Sequence, residues 1–130
     1  MTLLDTNVIV HYLKGMPSVV SRVRETLWRD IAIPSVVAYE LEYGTLKAGG
    51  SRRRDMVFRL LADSTQVPFD NDAALEAARI RIDLESRGLT IGPIDLMIAG
   101  TALSRGAVLV THNTQEFARV RRLRLADWAE

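Results

Sequence analysis

The chain has no cysteine among its 130 residues. This absence excludes disulfide bonds, zinc sites built from thiolates, and cysteine nucleophiles. No apolar run approaches the roughly 20 residues that a bilayer-spanning helix needs. No basic segment followed by an apolar core marks a signal peptide. We therefore expect a protein without a membrane segment that works in the cytoplasm.

Lysine is also scarce, because 15 of the 17 basic residues are arginine, although the net charge is only +1. A GC-rich genome is one explanation for this bias. Phosphate recognition is another, since the planar guanidinium group pairs well with phosphate. Two clusters keep the second explanation open, Arg52–Arg54 and the group Arg119, Arg121, Arg122 and Arg124. Both are solvated faces by default, and they contact RNA phosphates only if they flank a binding crevice.

What the chain does contain is ordinary for a globular domain, with 48% apolar and 25% charged residues. Its length fits one domain spanning residues 1–130. Short apolar strands alternate with helices, and the clearest strand is the continuous apolar run Ala107–Val110. This alternation predicts a three-layer α/β/α fold, Rossmann-like in type, with a short central parallel sheet.

The opening stretch Leu3-Leu4-Asp5-Thr6-Asn7 predicts a strand that stops at Asp5 and a helix that starts directly after it. Thr6 or Asn7 is the expected cap of that helix, and Ser35 is the expected cap of a later one. Ligands of open α/β sheets bind beyond the carboxyl ends of the strands. Taken alone, Asp5 is equally compatible with a capping role and with a functional one.

Further polar residues are predicted at the same edge of the sheet. Glu40 and Asp95 lie near the starts of two helices, and Thr111 and Asn113 follow the strongest strand. Glu40 and Asp95 have mostly apolar neighbours in sequence, and acids in such settings are usually paired, hydrogen-bonded or metal-bound. Alternatively, Asp95 is a first-turn acid favoured by the helix dipole, and Glu40 is a core-edge acid bonded to an arginine.

Three carboxylates brought close together would repel one another unless a cation joined them. Ligand sets made of oxygen atoms suit Mg²⁺ or Mn²⁺ rather than zinc. Such a cation neutralises the charge that develops on a phosphoryl oxygen. The chemistry that follows is hydrolysis of a phosphodiester with water as the nucleophile.

The residues that carry this chemistry fall into four motifs that resemble those of the PIN-domain ribonucleases, within them the VapC-type toxins of bacterial toxin–antitoxin modules. The resemblance covers nearly the whole chain, and the four motifs occur in the family's order. They are Leu3–Val10, Ser35–Gly44, Ile94–Ala99 and Leu109–Phe117.

The resemblance implies a Mg²⁺- or Mn²⁺-dependent endoribonuclease that cuts structured RNA, commonly tRNA or rRNA. Asp5, Glu40 and Asp95 match the family's metal-binding acids, and Thr111 matches a hydroxyl near the attacking water. Many relatives carry a fourth acid where this chain has Asn113. An amide can ligate a metal or orient a water, and Glu116 is the alternative source of the missing carboxylate; we favour Asn113.

Partners follow from the same resemblance. It implies an RNA substrate, a homodimer, and a small antitoxin whose C-terminal segment enters the active-site groove. His112 lies beside the predicted site and could touch RNA, whereas His11 is expected to be structural. Neither histidine has a second histidine at metal-binding spacing along the sequence.

Two other functions are alternatives to the ribonuclease function. A haloacid-dehalogenase-like phosphohydrolase also begins with an aspartate after its first strand, but it needs a second aspartate two residues later, where this chain has Asn7. A non-catalytic relative that binds RNA or protein would have a decayed site. Asn113 is the only residue that favours this second alternative, and the three acids oppose it.

Overall fold

A computed structural model describes residues 1–129 of the chain. Within these residues the strands are β1 Thr2–Leu4, β2 Ile31–Pro34, β3 Thr65–Val67, β4 Val108–Val110 and β5 Arg124–Ala126. The helices are α1 Thr6–Leu13, α2 Pro17–Glu25, α3 Ser35–Ala48, α4 Ser51–Asp63, α5 Asn71–Ser86, α6 Pro93–Ser104 and α7 Thr114–Phe117. A single 3-10 turn, Trp28–Asp30, precedes β2. None of the helices in this part of the chain is long and apolar enough to cross a membrane.

The strands form one parallel sheet in the order β3-β2-β1-β4-β5, with helices on both faces, as predicted. Leu3 in β1 is paired with Ala32 on one side and Leu109 on the other, and all three are buried. The strand order reverses direction between β1 and β4. In open α/β sheets this reversal opens a crevice at the carboxyl ends of the two strands. Asp5 and Thr111 directly follow those two strands.

Helices α5 and α6 pack against each other unusually closely at Gly100. A Cβ atom added there would lie 2.6 Å from the carbonyl oxygen of Ala73 and 2.8 Å from the Cβ of Ala77. Only glycine allows this approach, so the small residue sets the distance between the two helices. Asp95 lies one and a half turns earlier on α6, so its position depends on how closely α6 packs against α5.

Two of the predicted helix caps are wrong. The N-cap of α1 is Asp5 itself, whose Oδ1 accepts a hydrogen bond from the backbone N–H of Thr6 at 2.8 Å. Thr6 is already helical because β1 ends at Leu4 and one residue is enough to turn the chain. Ser35 is the first helical residue of α3, and its Oγ accepts a hydrogen bond from the N–H of Phe69 at 3.1 Å, beyond β3, instead of capping α3.

Candidate functional site

The carboxyl ends of β1 and β4 open into a cleft of about 380 Å³. The sheet reversal places α1, α3 and α6 around it. The structure brings four predicted residues together in its lining, Asp5, Glu40, Asp95 and Asn113. The rest of the lining comes from α1 and its C-terminal end: Thr6, Asn7, Val10, His11 and Lys14.

Asp5 lies at the base of this cleft and is only 4% exposed. Its Oδ1 accepts from the Thr6 N–H, and its Oδ2 accepts from the Thr111 hydroxyl at 2.8 Å. Burial raises the pKa of the Asp5 carboxyl, the two hydrogen bonds oppose that rise, and repulsion from Glu40 adds to it. The side chain is therefore a helix cap and also a carboxyl group held in the cleft, so the capping role does not exclude the predicted functional one.

Glu40 reaches the cleft from the second turn of α3. Its Oε1 accepts a hydrogen bond from the Thr6 hydroxyl at 2.6 Å, so its partner is a threonine and not the arginine considered above. Thr6 thus binds two acids at once, Asp5 through its backbone N–H and Glu40 through its side chain. The sequence predicts only a capping role for Thr6. The pairing joins residues 34 positions apart, and nothing in the local pattern signals it.

Asp95 approaches from the first turn of α6 and is partly buried. Burial is the main cause that raises the pKa of Asp95 to about 6, and repulsion from Asp5, Glu116 and Glu40 adds to the effect. Within residues 1–129 no group donates a hydrogen bond to this carboxylate. A carboxylate that is crowded by other acids and lacks a donor is suited to a positive ligand.

Asn113 and Glu116 form a pair at the start of α7. The amide Nδ2 of Asn113 donates to Glu116 Oε2 at 2.9 Å, and Glu116 Oε1 accepts from the N–H of Gly92 at 3.3 Å. Because a carboxylate can only accept, the amide oxygen of Asn113 faces away from Glu116. The backbone N–H of Asn113 donates to the Thr111 hydroxyl at 3.0 Å. Asn113 lines the cleft and Glu116 does not, so Glu116 is linked to the cleft lining through its hydrogen bond with Asn113.

The donor chemistry of the cleft fits a hard divalent cation. Its donors are carboxylate and amide oxygens, and burial, together with repulsion from neighbouring acids, raises the pKa of both Asp5 and Asp95. Among the described residues no group of three or more acid or histidine side chains is placed closely enough to hold a metal ion as it stands. Mg²⁺ is usually held by one or two carboxylates and keeps several waters, so an open acidic cleft is an acceptable host.

The first arginine cluster lies next to the cleft. Arg52, Arg53 and Arg54 are all exposed in the first turn of α4. Arg53 lines a groove that shares Thr6, Val10 and Glu40 with the cleft, whereas Arg52 and Arg54 do not line it.

The second arginine cluster is engaged within the protein. Arg119 Nη1 donates to the carbonyl oxygen of Thr90 at 2.8 Å, and Arg121 Nε lies 3.7 Å from Asp83 Oδ2. Arg122 is 3.5 Å from Glu76, and Arg124 donates to the carbonyl oxygen of Gly106. None of these four arginines lines the cleft. They bind the segment around β5 to its neighbours.

The two histidines, which were judged separately in the sequence, lie side by side. The ring centroids of His11 and His112 are 5.8 Å apart with an interplanar angle of 68°. Lys14, three residues after His11, also lines the cleft and was not singled out in the sequence analysis. Its spacing from Asn7 and His11 on one helical face is the signal that could have identified it.

Comparison with known proteins identifies the family of this chain. The PIN domain family model matches residues 2–123. The tRNA(fMet)-specific endonuclease VapC of Shigella flexneri is 38% identical over 98% of this chain and 97% of its own length. Its Salmonella typhimurium counterpart is 35% identical over 97% and 96%. A chain in the crystal structure of DNA bound VapBC from Salmonella typhimurium superposes with a TM-score of 0.91 at 34% identity, covering 98% of this chain and 97% of that one.

Proposed function

This chain belongs to the PIN domain family, and from that premise we propose that it is an endoribonuclease, the toxin of a toxin–antitoxin pair, acting in the cytoplasm as a single domain over residues 1–130. The observation that carries the proposal is the convergence of Asp5, Glu40, Asp95 and Asn113 on one cleft at the switch point of the sheet. Relatives over nearly the full chain are named as ribonucleases and as tRNA(fMet)-specific endonucleases. Initiator tRNA is therefore the first substrate to test.

Mg²⁺ or Mn²⁺ is the proposed cofactor, held by Asp5, Glu40 and Asp95 with Asn113 as the fourth polar group. When bound, such an ion supplies positive charge that stabilises the phosphodiester transition state. The protein's own contribution is orientation. Thr6 and Thr111 fix the two carboxylate oxygens of Asp5, and Glu116 fixes the amide of Asn113. Hydrogen-bonded supports of this kind typically change activity 10- to 100-fold when removed.

An antitoxin and a second copy of the chain are the proposed protein partners, and similar solved structures support the antitoxin. Chains that superpose on this one occur in VapBC complexes from Salmonella typhimurium and Rickettsia felis, and both of those structures contain DNA. We expect this chain to bind an antitoxin that covers the cleft, to form a homodimer, and to be released for RNA cleavage when the antitoxin is lost. Co-expression with the product of a short neighbouring reading frame should relieve growth arrest if the pair exists.

The deciding experiment compares wild-type protein with Asp5→Asn on an initiator tRNA transcript in Mn²⁺, with EDTA as a second arm. Wild type should cleave the transcript, EDTA should stop cleavage, and the variant should be inactive while keeping its circular dichroism spectrum. Arg79→Ala, on the exposed face of α5, is the matched control and should cleave normally. Full activity of Asp5→Asn, or cleavage that is indifferent to EDTA, would contradict the proposed site.

A haloacid-dehalogenase-like reaction makes a different prediction for the same residue. It would attach phosphate covalently to Asp5, and a phosphoaspartate would be trapped with a phosphate ester substrate. In this structure both carboxylate oxygens of Asp5 accept hydrogen bonds and the side chain is almost fully buried. These contacts favour a fixed ligand over a nucleophile.

A further inference from the structure

One face of α1 lines the cleft beyond the acids. Asn7, His11 and Lys14 are spaced four and three residues apart, so they lie on the same side of the helix, and all three belong to the cleft lining. From Asn7 to Lys14 the face extends about 10 Å along the helix axis, at roughly 1.5 Å per residue. We call these three residues the α1 face. It begins beside Asp5 and ends at the only cation in the cleft lining.

His112 extends the α1 face sideways. Its backbone N–H donates to the Asn7 side-chain oxygen at 3.2 Å, which attaches the loop after β4 to α1. Its ring meets that of His11 in an edge-to-face arrangement, a geometry that aromatic groups favour. The Nδ1 atom of His11 is buried and has no hydrogen-bond partner among residues 1–129. The contact between the rings therefore depends on shape and not on a polar bond.

The orientation of the His112 ring is fixed although the ring is open to solvent. Its Nδ1 lies 3.1 Å from Asp127 Oδ2 and 3.4 Å from Oδ1, and the Asp127 carboxylate also accepts from the N–H of Ala129 at 2.9 Å. The His112 side chain is nevertheless 55% exposed. A ring that is held on one edge by Asp127, packed on His11 and otherwise solvated presents a preorganised aromatic surface beside the cleft.

Charge divides the cleft into two halves. Asp5, Glu40 and Asp95 make one half negative, so an RNA phosphate there needs a cation between it and the protein. Lys14 makes the other end positive and can contact a phosphate directly. Unstacked bases in single-stranded RNA stack on aromatic side chains, histidine included. The aromatic pair of His11 and His112 adjoins both halves.

We propose that the α1 face and His112 form the subsite for the nucleotide next to the cleaved bond, with Lys14 binding its phosphate and the imidazole of His112, backed by His11, stacking on its base. The proposal of this subsite rests on the proposed ribonuclease function. It names the residues that would hold the RNA strand across Asp5, Glu40 and Asp95. Stacking accepts any base, so the subsite positions the strand without reading its sequence.

The alternative is that His112 only clamps the C-terminal segment through Asp127. Two substitutions separate the explanations. His112→Ala removes both the stacking surface and the clamp, whereas His112→Phe keeps an aromatic face and loses the bond to Asp127. Stacking predicts that Phe restores RNA binding and Ala does not. A clamp predicts that both variants are equally impaired.

The experiment uses full-length protein carrying Asp5→Asn, so that bound RNA stays intact, and measures affinity for the initiator tRNA transcript over a range of salt concentrations. His112→Ala should weaken binding on the order of tenfold, and His112→Phe should bind within about twofold of the parent. Lys14→Ala should weaken binding and reduce the slope of log affinity against log salt by about one. Arg79→Ala is the control and should leave both affinity and slope unchanged.

Equal losses in the Phe and Ala variants, or parental binding in both His112→Ala and Lys14→Ala, would overturn the subsite. The same transcript incubated with active protein separates this result from failure of the proposed function. If wild type cleaves the transcript and the subsite variants bind like the parent, only the subsite is wrong. If wild type leaves RNA uncut, the ribonuclease proposal fails and the subsite fails with it.

Discussion

The hydroxyl of Thr111 donates a hydrogen bond to Asp5 Oδ2 at 2.8 Å, joining two buried residues that are 106 positions apart. The same hydroxyl oxygen accepts the N–H of Asn113 at 3.0 Å. One threonine therefore orients an acid on one side of the cleft and the start of α7 on the other. Buried groups that lose such a partner keep the full desolvation cost.

Thr111→Val should leave Asp5 Oδ2 and the N–H of Asn113 unpaired. We expect the free energy of unfolding to fall by about 1 to 3 kcal/mol and RNA cleavage to fall roughly 10- to 100-fold. Thr111→Ser retains the hydroxyl and should stay near wild type in cleavage. Urea unfolding and initial cleavage rates measure the two effects, and a fully active Val variant would exclude an orienting role for Thr111.

Asn113 and Glu116 should behave as a coupled pair in a double-mutant cycle of cleavage rates. Asn113→Ala removes the amide from the cleft, and Glu116→Ala releases it, so each alone should reduce cleavage roughly 10-fold or more. Since its hydrogen bond with Asn113 links Glu116 to the cleft lining, we expect the double variant to be little worse than Asn113→Ala. Additive losses would instead indicate that Glu116 has its own part in the site, and full activity of both single variants would exclude both residues.

Asp95 should make the metal-free protein less stable as pH rises. Its pKa is about 6 in the folded state and about 3.9 when unfolded, so between these values the folded state binds more protons. The contribution of this group to the free energy of unfolding therefore falls as pH rises through that interval.

Asp95→Asn should remove this dependence. At pH 7.5 in EDTA we expect the variant to be more stable than wild type by about 1 kcal/mol, a value reduced for the partial exposure of the side chain. The difference should shrink at pH 5, and cleavage should be lost at both pH values. Urea unfolding of both proteins at the two pH values measures the difference in stability. A variant no more stable than wild type at pH 7.5 would show that the pKa of Asp95 is not raised in the folded protein.

Gly100→Ala should destabilise the protein although alanine is the better helix former. The new Cβ would lie 2.6 Å from the Ala73 carbonyl oxygen, so α5 and α6 would have to separate. Overpacking of this kind costs about 1 to 3 kcal/mol. Gly44→Ala in α3 is the matched control, because nothing lies within 4 Å of its added Cβ, and it should stabilise by about 0.5 to 1 kcal/mol. Thermal unfolding of the two variants should therefore shift in opposite directions.

The order of strands and helices along the chain was enough to predict which polar residues lie at the cleft. Asp5 and Thr111 were predicted to follow strands, and Glu40 and Asp95 to lie near helix starts. Parallel strands end at one edge of a sheet, so these positions were enough to predict convergence. The confirmed parallel sheet and the family match both follow from patterns that local sequence contains.

Hydrogen-bond partners were harder to predict for side chains that can bond either locally or to a distant residue. Ser35 is a residue type that often caps helices, but its hydroxyl accepts a hydrogen bond from the N–H of Phe69. Thr6 donates hydrogen bonds to both Glu40 and Asp5. The arginines after residue 118 were predicted to be a solvated face unless they flank the cleft, and in the structure Arg119 and Arg121 contact Thr90 and Asp83. Each outcome depends on a residue distant along the chain, which residue-type patterns do not specify.

By itself, the sequence determined the α/β alternation, the acids at strand ends and helix starts, and the family to which the chain belongs, because these depend on hydrophobic periodicity and on short motifs. Only the tertiary structure decided which donors hold Asp5 and Glu40, that Glu116 accepts a hydrogen bond from Asn113, and that His11 and His112 meet. Those contacts join segments up to 106 residues apart. They are fixed by the packing of α1, the loop after β4 and the C-terminal segment around one edge of the sheet, and packing distances are set by the whole fold.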